Sequence, residues 1–154
     1  GDTEFMDYFR RLEEKFPDQV CAKLQFDATL PHLIFAGADT ILIPSKFEPS
    51  GLTQMEAMRF GAIPIARRVG GLADSIEDFN PKKKSGTGFL FDEFDPNSFL
   101  FALTRAYTNW RHKDVWRALQ KRAMEKDFSW THSAQEYVKT FKQALKKGKW
   151  LGIF

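Results

Sequence analysis

Residues 40–58 read Thr40-Ile41-Leu42-Ile43-Pro44-Ser45-Lys46-Phe47-Glu48-Pro49-Ser50-Gly51-Leu52-Thr53-Gln54-Met55-Glu56-Ala57-Met58, and three kinds of structure follow one another in them. Thr40 to Pro44 is a short apolar run with the composition of a buried strand, and the residues beyond Leu52 have helical composition up to a stop at Gly61. A strand, a loop and a helix N-terminus therefore meet between Ser45 and Thr53. Such a junction suits an anion, because the first amides of a helix have no intrahelical partner and the macrodipole places roughly half a positive charge there. Two carboxylates flank the point: Glu48 before the helix and Glu56 about one turn inside it. A phosphate held by amides, with sugar hydroxyls facing carboxylates, describes a nucleotide-sugar.

Working outward, Phe5, Met6, Phe9, Leu12 and Phe16 share one face of a helix that ends at Pro17-Asp18. Val20, Ala22, Leu24 and Phe26 alternate with Cys21, Lys23 and Gln25, which predicts a strand. Thr29 is the expected cap of a short helix with Pro31 in its first turn, Leu33, Ile34 and Phe35 on its buried face and Gly37 at its end. Beyond residues 40–60, Ala62 to Ala66 predicts another strand, Arg67 to Gly71 a flexible turn, and Leu72 to Phe79 a short helix. Asn80 to Gly86 is the most loop-like piece and the one expected to tolerate insertion. Gly88 to Phe91 predicts a fourth strand. Asp95-Pro96 then opens a helical region of about 96–109, 113–126 and 131–147. Strands alternating with helices indicate an α/β, Rossmann-like parallel sheet with helices on both faces. Four strands are few for a doubly wound domain, and the chain opens on a helix, so the first strand is expected upstream of Gly1.

The 154 residues fit one domain, with 43% hydrophobic and 28% charged residues. A formal net charge of +3 implies no large single-sign field and argues against nucleic acid as partner. The single cysteine, Cys21, excludes an intrachain disulfide framework and is expected to be buried and inert. No apolar run is long enough to span a membrane, and the first residues lack signal-peptide order, so the expected location is cytoplasmic.

Glu48-Pro49-Ser50-Gly51-Leu52, with Glu56 eight positions after Glu48, resembles the E-x7-E signature of retaining glycosyltransferases of the two-domain GT-B fold. A wider set of matches is more specific: Phe47-Glu48-Pro49, Gly51-Leu52-Thr53-Gln54, Ala57-Met58-Arg59, Gly70-Gly71-Leu72-Ala73-Asp74, Thr87-Gly88-Phe89-Leu90-Phe91 and Phe128-Ser129-Trp130 together resemble the bacterial glycogen and starch synthases. The resemblance covers about residues 1–145 and implies that residues 1–154 are the nucleotide-sugar-binding C-terminal domain of a GT-B enzyme, with residues about 96–147 as its closing helices. It implies transfer of glucose from ADP-glucose or UDP-glucose to an α-1,4-glucan with retention, without a metal or other cofactor. Carried onto this chain, it places Glu48 on donor-sugar hydroxyls near the reacting centre. The amides of Gly51, Leu52 and Thr53 face the diphosphate, Glu56 takes the ribose hydroxyls, and Phe26 stacks on the base. Many bacterial synthases carry tyrosine at the position of Glu56. Gly70 and Gly71 let backbone approach the sugar or phosphate without a Cβ clash.

Other residues carry ordinary roles. His32, His112 and His132 have no ligand partners at metal-binding spacing. Lys82 to Lys84 reads as a solvated loop, and Trp110, Trp116, Trp130 and Trp150 as packing residues at helical spacing. The family's cations for the leaving diphosphate come from a G-R-L-x-x-Q-K-G type loop, which is not found in this chain; Arg67 and Arg68 are poor substitutes. The resemblance thus implies a fragment inactive alone, whose glucan acceptor is held by a missing N-terminal domain. Another retaining GT-B transferase, for sucrose, trehalose or lipopolysaccharide sugars, and a non-catalytic nucleotide- or glucan-binding module are the alternatives.

Overall fold

A computed structural model describes residues 2–150. The chain divides into two compact units, one ending at Pro31 and the other beginning at His32.

In the first unit, α1 (Thr3–Lys15) is capped by Asp2, whose carboxylate accepts the Glu4 N–H at 3.2 Å. Its apolar face is not a finished core: Met6 and Leu12 are half-buried, whereas Phe5, Phe9 and Phe16 are exposed. The alternation of Val20 to Phe26 does not produce a strand. Val20, Ala22 and Leu24 are half-buried and Cys21, Lys23 and Gln25 exposed, so the two-residue period survives in the burial up to Leu24; Phe26, expected on the inward side, is exposed. A strand also needs a neighbour to share its hydrogen bonds, and no described segment pairs with this one; the Ala22 N–H donates to the Glu13 carboxylate at 3.1 Å. Cys21 is exposed, contrary to its expected burial, because it falls on the outer side of this alternation. The cap of α2 (Leu30–Gly37) is Asp27, not Thr29: its carboxylate accepts the N–H groups of Thr29 and Leu30 at 2.7 and 2.8 Å. Those two bonds, Leu30 first, hold its pKa below the usual aspartate value.

The second unit carries a three-stranded parallel sheet in the order β1 (Thr40–Ile43), β2 (Ile63–Arg67) and β3 (Phe89–Phe91). Thr40 pairs with Ile63 and Ile65 with Phe89. Ile63, Pro64, Ile65 and Ala66 are all buried, and since successive side chains of a strand point to opposite faces, β2 is covered on both. One apolar cluster joins Ile63, Ile65 and Phe89 to Leu72, Ala102, Trp116 and Leu119. These last four come from α4 (Gly70–Ser75), α5 (Pro96–Trp110) and α6 (Lys113–Glu125). A smaller cluster joins Phe35 of α2 to Ala57 of α3 (Thr53–Arg59) and Ala62. Phe35 is the one buried residue of α2; Leu33 and Ile34, expected beside it, are exposed, as three successive residues of a helix cannot share one face. The sheet thus has three strands among the described residues, not four. α4 ends at Ser75, earlier than its expected end at Phe79.

Residues 80–86 are a turn, as expected, and two further expectations are corrected. The turn is stapled, closed by a bridge between Asn80 and Ser85, with the Asn80 side chain accepting the N–H groups of Lys82 and Lys83. Gly86 behind it is buried, and its carbonyl accepts from Arg122 Nε at 3.1 Å. Trp116 is buried as expected, but Trp130, at the start of α7 (Trp130–Trp150), is exposed. Residues 67–71 are pinned by the hydrogen bonds described next, and do not form a flexible turn.

Candidate functional site

β1 and β2 are parallel, so their C-terminal ends lie at one end of the sheet, the usual place for a ligand in an open α/β fold. Residues 44–52 leave the end of β1 and Arg67 to Gly71 leave the end of β2. The two connections are packed backbone to backbone. Gly70 has φ +46°, and a Cβ on it would overlap the Glu48 carbonyl oxygen. A Cβ on Gly71 would overlap the Ser50 carbonyl in the same way, and the Gly71 N–H donates to the Glu48 carbonyl at 3.3 Å. The glycine pair therefore serves close approach, but the group it approaches in this structure is the Glu48 to Ser50 backbone.

Arg67 anchors the loop from its other side. Its Nη1 donates to the Lys46 carbonyl at 2.8 Å and its Nε to the Asp92 carbonyl at 3.1 Å, while Arg68 Nε pairs with the Asp92 carboxylate at 2.8 Å. Both guanidinium groups are thus employed in holding loops together. Beneath the loop, Gln54 is completely buried; its Nε2 donates to the Gly51 carbonyl at 2.8 Å and to Ser75 Oγ at 2.9 Å, and Ser75 Oγ donates to the Gly71 carbonyl. Gln54 and Ser75 have no role in the sequence reading. A signal exists for Gln54: it shares the spacing of Ala57, Met58 and Gly61, which is the inward face of α3.

Held this way, Glu48 is half-buried, and among the described residues its carboxylate has no hydrogen-bond partner. The N–H groups of Gly51, Leu52 and Thr53 likewise donate to no described acceptor, and Leu52, at the N-cap of α3, supplies no side-chain cap. A half-buried acceptor and three free donors thus share one loop, an arrangement that can bind a group with both hydroxyls and negative charge. Glu56 is exposed and lines a different feature, a cleft of about 670 Å³ with Met55, Arg59, Phe60, Lys126 and Phe128 on its walls. The structure therefore gathers Glu48, Gly51, Leu52, Thr53, Gly70 and Gly71, and sets Glu56 on the neighbouring flank of α3. Phe26 belongs to the first unit, is 95% exposed, and lines a cavity of about 470 Å³ there with Arg10 and Glu13. No group of three or more His, Cys, Asp or Glu among the described residues is placed to hold a metal, and no described helix is long and apolar enough to cross a membrane.

The pattern of the family described as glycosyl transferases group 1 matches residues 4–123. The chain belongs to that family. Among relatives of this group 1 chain, the glycogen synthase of Thermotoga petrophila is 45% identical over 148 residues, covering 96% of this chain and 30% of that enzyme. The glycogen synthase of Gloeobacter violaceus is 44% identical over 145 residues, covering 94% and 32%. Among solved structures, the catalytic domain of starch synthase IV from Arabidopsis thaliana, bound to ADP and acarbose, superposes with a TM-score of 0.77 at 38% identity. The match covers 91% of this chain and 30% of that one. Sucrose-phosphate synthase from Thermosynechococcus elongatus shares the fold, with a TM-score of 0.58 at 24% identity over 92% of this chain and 34% of that one. The architecture is that of the C-terminal half of GT-B glycosyltransferases. The chain spans about a third of the length of these relatives.

Proposed function

We propose that residues 1–154 are the donor-binding domain of a glucan synthase that transfers glucose from ADP-glucose to the end of an α-1,4-glucan with retention. The observation that carries this reading is the half-buried, unpartnered Glu48 beside the free amides of Gly51 to Thr53, in a loop braced by Gly70 and Gly71. The starch synthase relative was solved with ADP, which favours ADP-glucose over UDP-glucose. In this reading Glu48 accepts from hydroxyls of the transferred glucose, and the loop amides donate to the diphosphate. Glu56 takes the ribose hydroxyls and Phe26 the base. Negative charge grows on the leaving ADP as the glycosidic bond breaks, so donors already aimed at the phosphates lower the barrier more than they strengthen ground-state binding. Three neutral amides are a modest source of such stabilisation. The cations and the glucan acceptor site belong, on this reading, to a preceding domain, and the 154 residues alone do not turn over. A cytoplasmic setting follows from the same reading.

Calorimetry with ADP and with UDP tests donor binding by the chain itself, with Glu56→Ala as a variant expected to weaken ADP. No heat at millimolar ADP would remove the donor site from the isolated chain. Joining the chain to an intact upstream domain then tests the activity: elongation of a maltooligosaccharide from ADP-glucose supports a synthase. Binding without elongation supports a non-catalytic module instead.

A further inference from the structure

Gln54 presents an asymmetry. Its Nε2 faces three oxygens, the Gly51 carbonyl at 2.8 Å, Ser75 Oγ at 2.9 Å and the Ser50 carbonyl at 3.5 Å, while its Oε1 is buried with no partner among the described residues. Turning the amide over would set Oε1 against two carbonyl oxygens that have no proton to give, so the donor orientation is forced by chemistry. A buried acceptor left unpaired lowers stability. The side chain nevertheless holds the Gly51 carbonyl inward, with the Ser50 carbonyl beside it at 3.5 Å.

That has a consequence for the other ends of the same peptide groups. The peptide bonds are trans, with no cis bond in the described chain, and in a planar trans peptide the C=O and the N–H point in opposite directions. Drawing the Gly51 carbonyl inward therefore turns the Leu52 N–H outward, and the Ser50 carbonyl, facing the same amide at 3.5 Å, leaves the Gly51 N–H on the opposite side of its own peptide. A residue in the left-handed region next to one in the right-handed region curls successive N–H groups toward a common point. Gly51 has φ +69° and Leu52 φ −102°, which is that pairing, and it is the pattern by which consecutive amides form an anion-binding concavity.

We infer that Gln54 is a positioning residue that aims the Gly51 and Leu52 amides at the diphosphate of the donor, with Ser75 holding its amide in register; the assignment rests on the donor-site reading above. Ser75 Oγ also donates to the Gly71 carbonyl, so one buried relay, Gln54 to Ser75 to Gly71, ties the phosphate side of the loop to the glycine pair on which Glu48 rests.

The test uses the ¹⁵N-labelled chain titrated with ADP and, separately, with adenosine, which lacks the phosphates. In the native chain, saturation with ADP is expected to move the Gly51 and Leu52 amide resonances strongly and adenosine to leave them in place. Gln54→Met, which keeps the length of the side chain and removes its donors, is expected to weaken ADP about tenfold, the loss typical of mis-set hydrogen bonds to a charged group. Its adenosine affinity is expected to stay within about twofold, which a general loosening of the fold would not allow. If that variant does not fold, Ser75→Ala serves, with an expected loss of ADP affinity of about threefold and none for adenosine. Equal weakening of ADP and adenosine, or ADP binding to the native chain without movement of the two amides, overturns the inference and leaves the donor site standing. Failure of the native chain to bind either ligand overturns both.

Discussion

A methyl group at residue 71 would occupy the space of the Ser50 carbonyl oxygen, and one at residue 70 that of the Glu48 carbonyl, so these two glycines hold the candidate site together through what they lack. Gly71→Ala is expected to destabilise the chain by about 2 kcal/mol or more, as backbone cannot move aside as a flexible side chain does, and to lower ADP affinity with it. Urea unfolding and calorimetry on the same sample check both. Glu48→Gln should instead leave the urea midpoint nearly unchanged, within about 0.5 kcal/mol, because the carboxylate has no described protein partner, while donor binding falls. At this scale much of the site was legible. Glu48 and the Gly51 to Thr53 amides could be read from the sequence because a strand, a proline, a glycine and a helix start define where backbone donors are left free. The roles of Gln54, Ser75 and Arg67 could not, since each acts on a carbonyl that is distant in sequence or that any residue type would supply. Which side of α3 Glu56 faces was not legible: eight positions from Glu48 in the chain, it lines a neighbouring cleft, because a helix turns its residues to different sides.

Elements with local instructions were the readable ones. α5 begins where Asp95-Pro96 says it should, and the Asp95 carboxylate accepts the N–H groups of Asn97 and Ser98 at 3.0 and 2.8 Å. Hydrogen bonding from the Ser98 side chain, then from the Ser98 and Asn97 amides, keeps the Asp95 pKa below the usual aspartate value. A depressed folded-state pKa means that the stabilisation is complete above the unfolded-state value and is lost as pH falls through the lower, folded one. Asp95→Ala is therefore expected to lower Tm at pH 7, and the gap between native and variant should close on acidification below about pH 4, near the ordinary aspartate value; thermal melts across that range decide it. Val20 to Phe26 shows where local instructions stop. Alternation told which residues face inward as far as Leu24 but failed at Phe26, which is exposed, and it cannot name a neighbouring strand.

At the scale of the whole molecule, what could be read was the class of fold and what could not was which helices join its core. Strand-helix alternation gave a parallel sheet, and β2 is buried on both faces as such a sheet requires. α7 was predicted as a helix, yet its Trp130, Tyr137 and Phe141 are 84%, 60% and 61% exposed. Its described side chains add nothing to the apolar clusters, so ending the chain at Ser129 is expected to leave unfolding of the sheet within about 0.5 kcal/mol of the native chain, measured in urea. The stapled turn at Asn80 to Gly86 bears on how the chain survives digestion. Lys82, Lys83 and Lys84 are exposed and together offer trypsin three adjacent cleavage points, but a protease must first pull such a turn open. With Gly86 buried and its carbonyl held by Arg122, opening it means prising apart the floor beneath Phe79. Scission at those lysines should then follow the unfolding equilibrium of the sheet, making the most basic stretch of the surface a durable one.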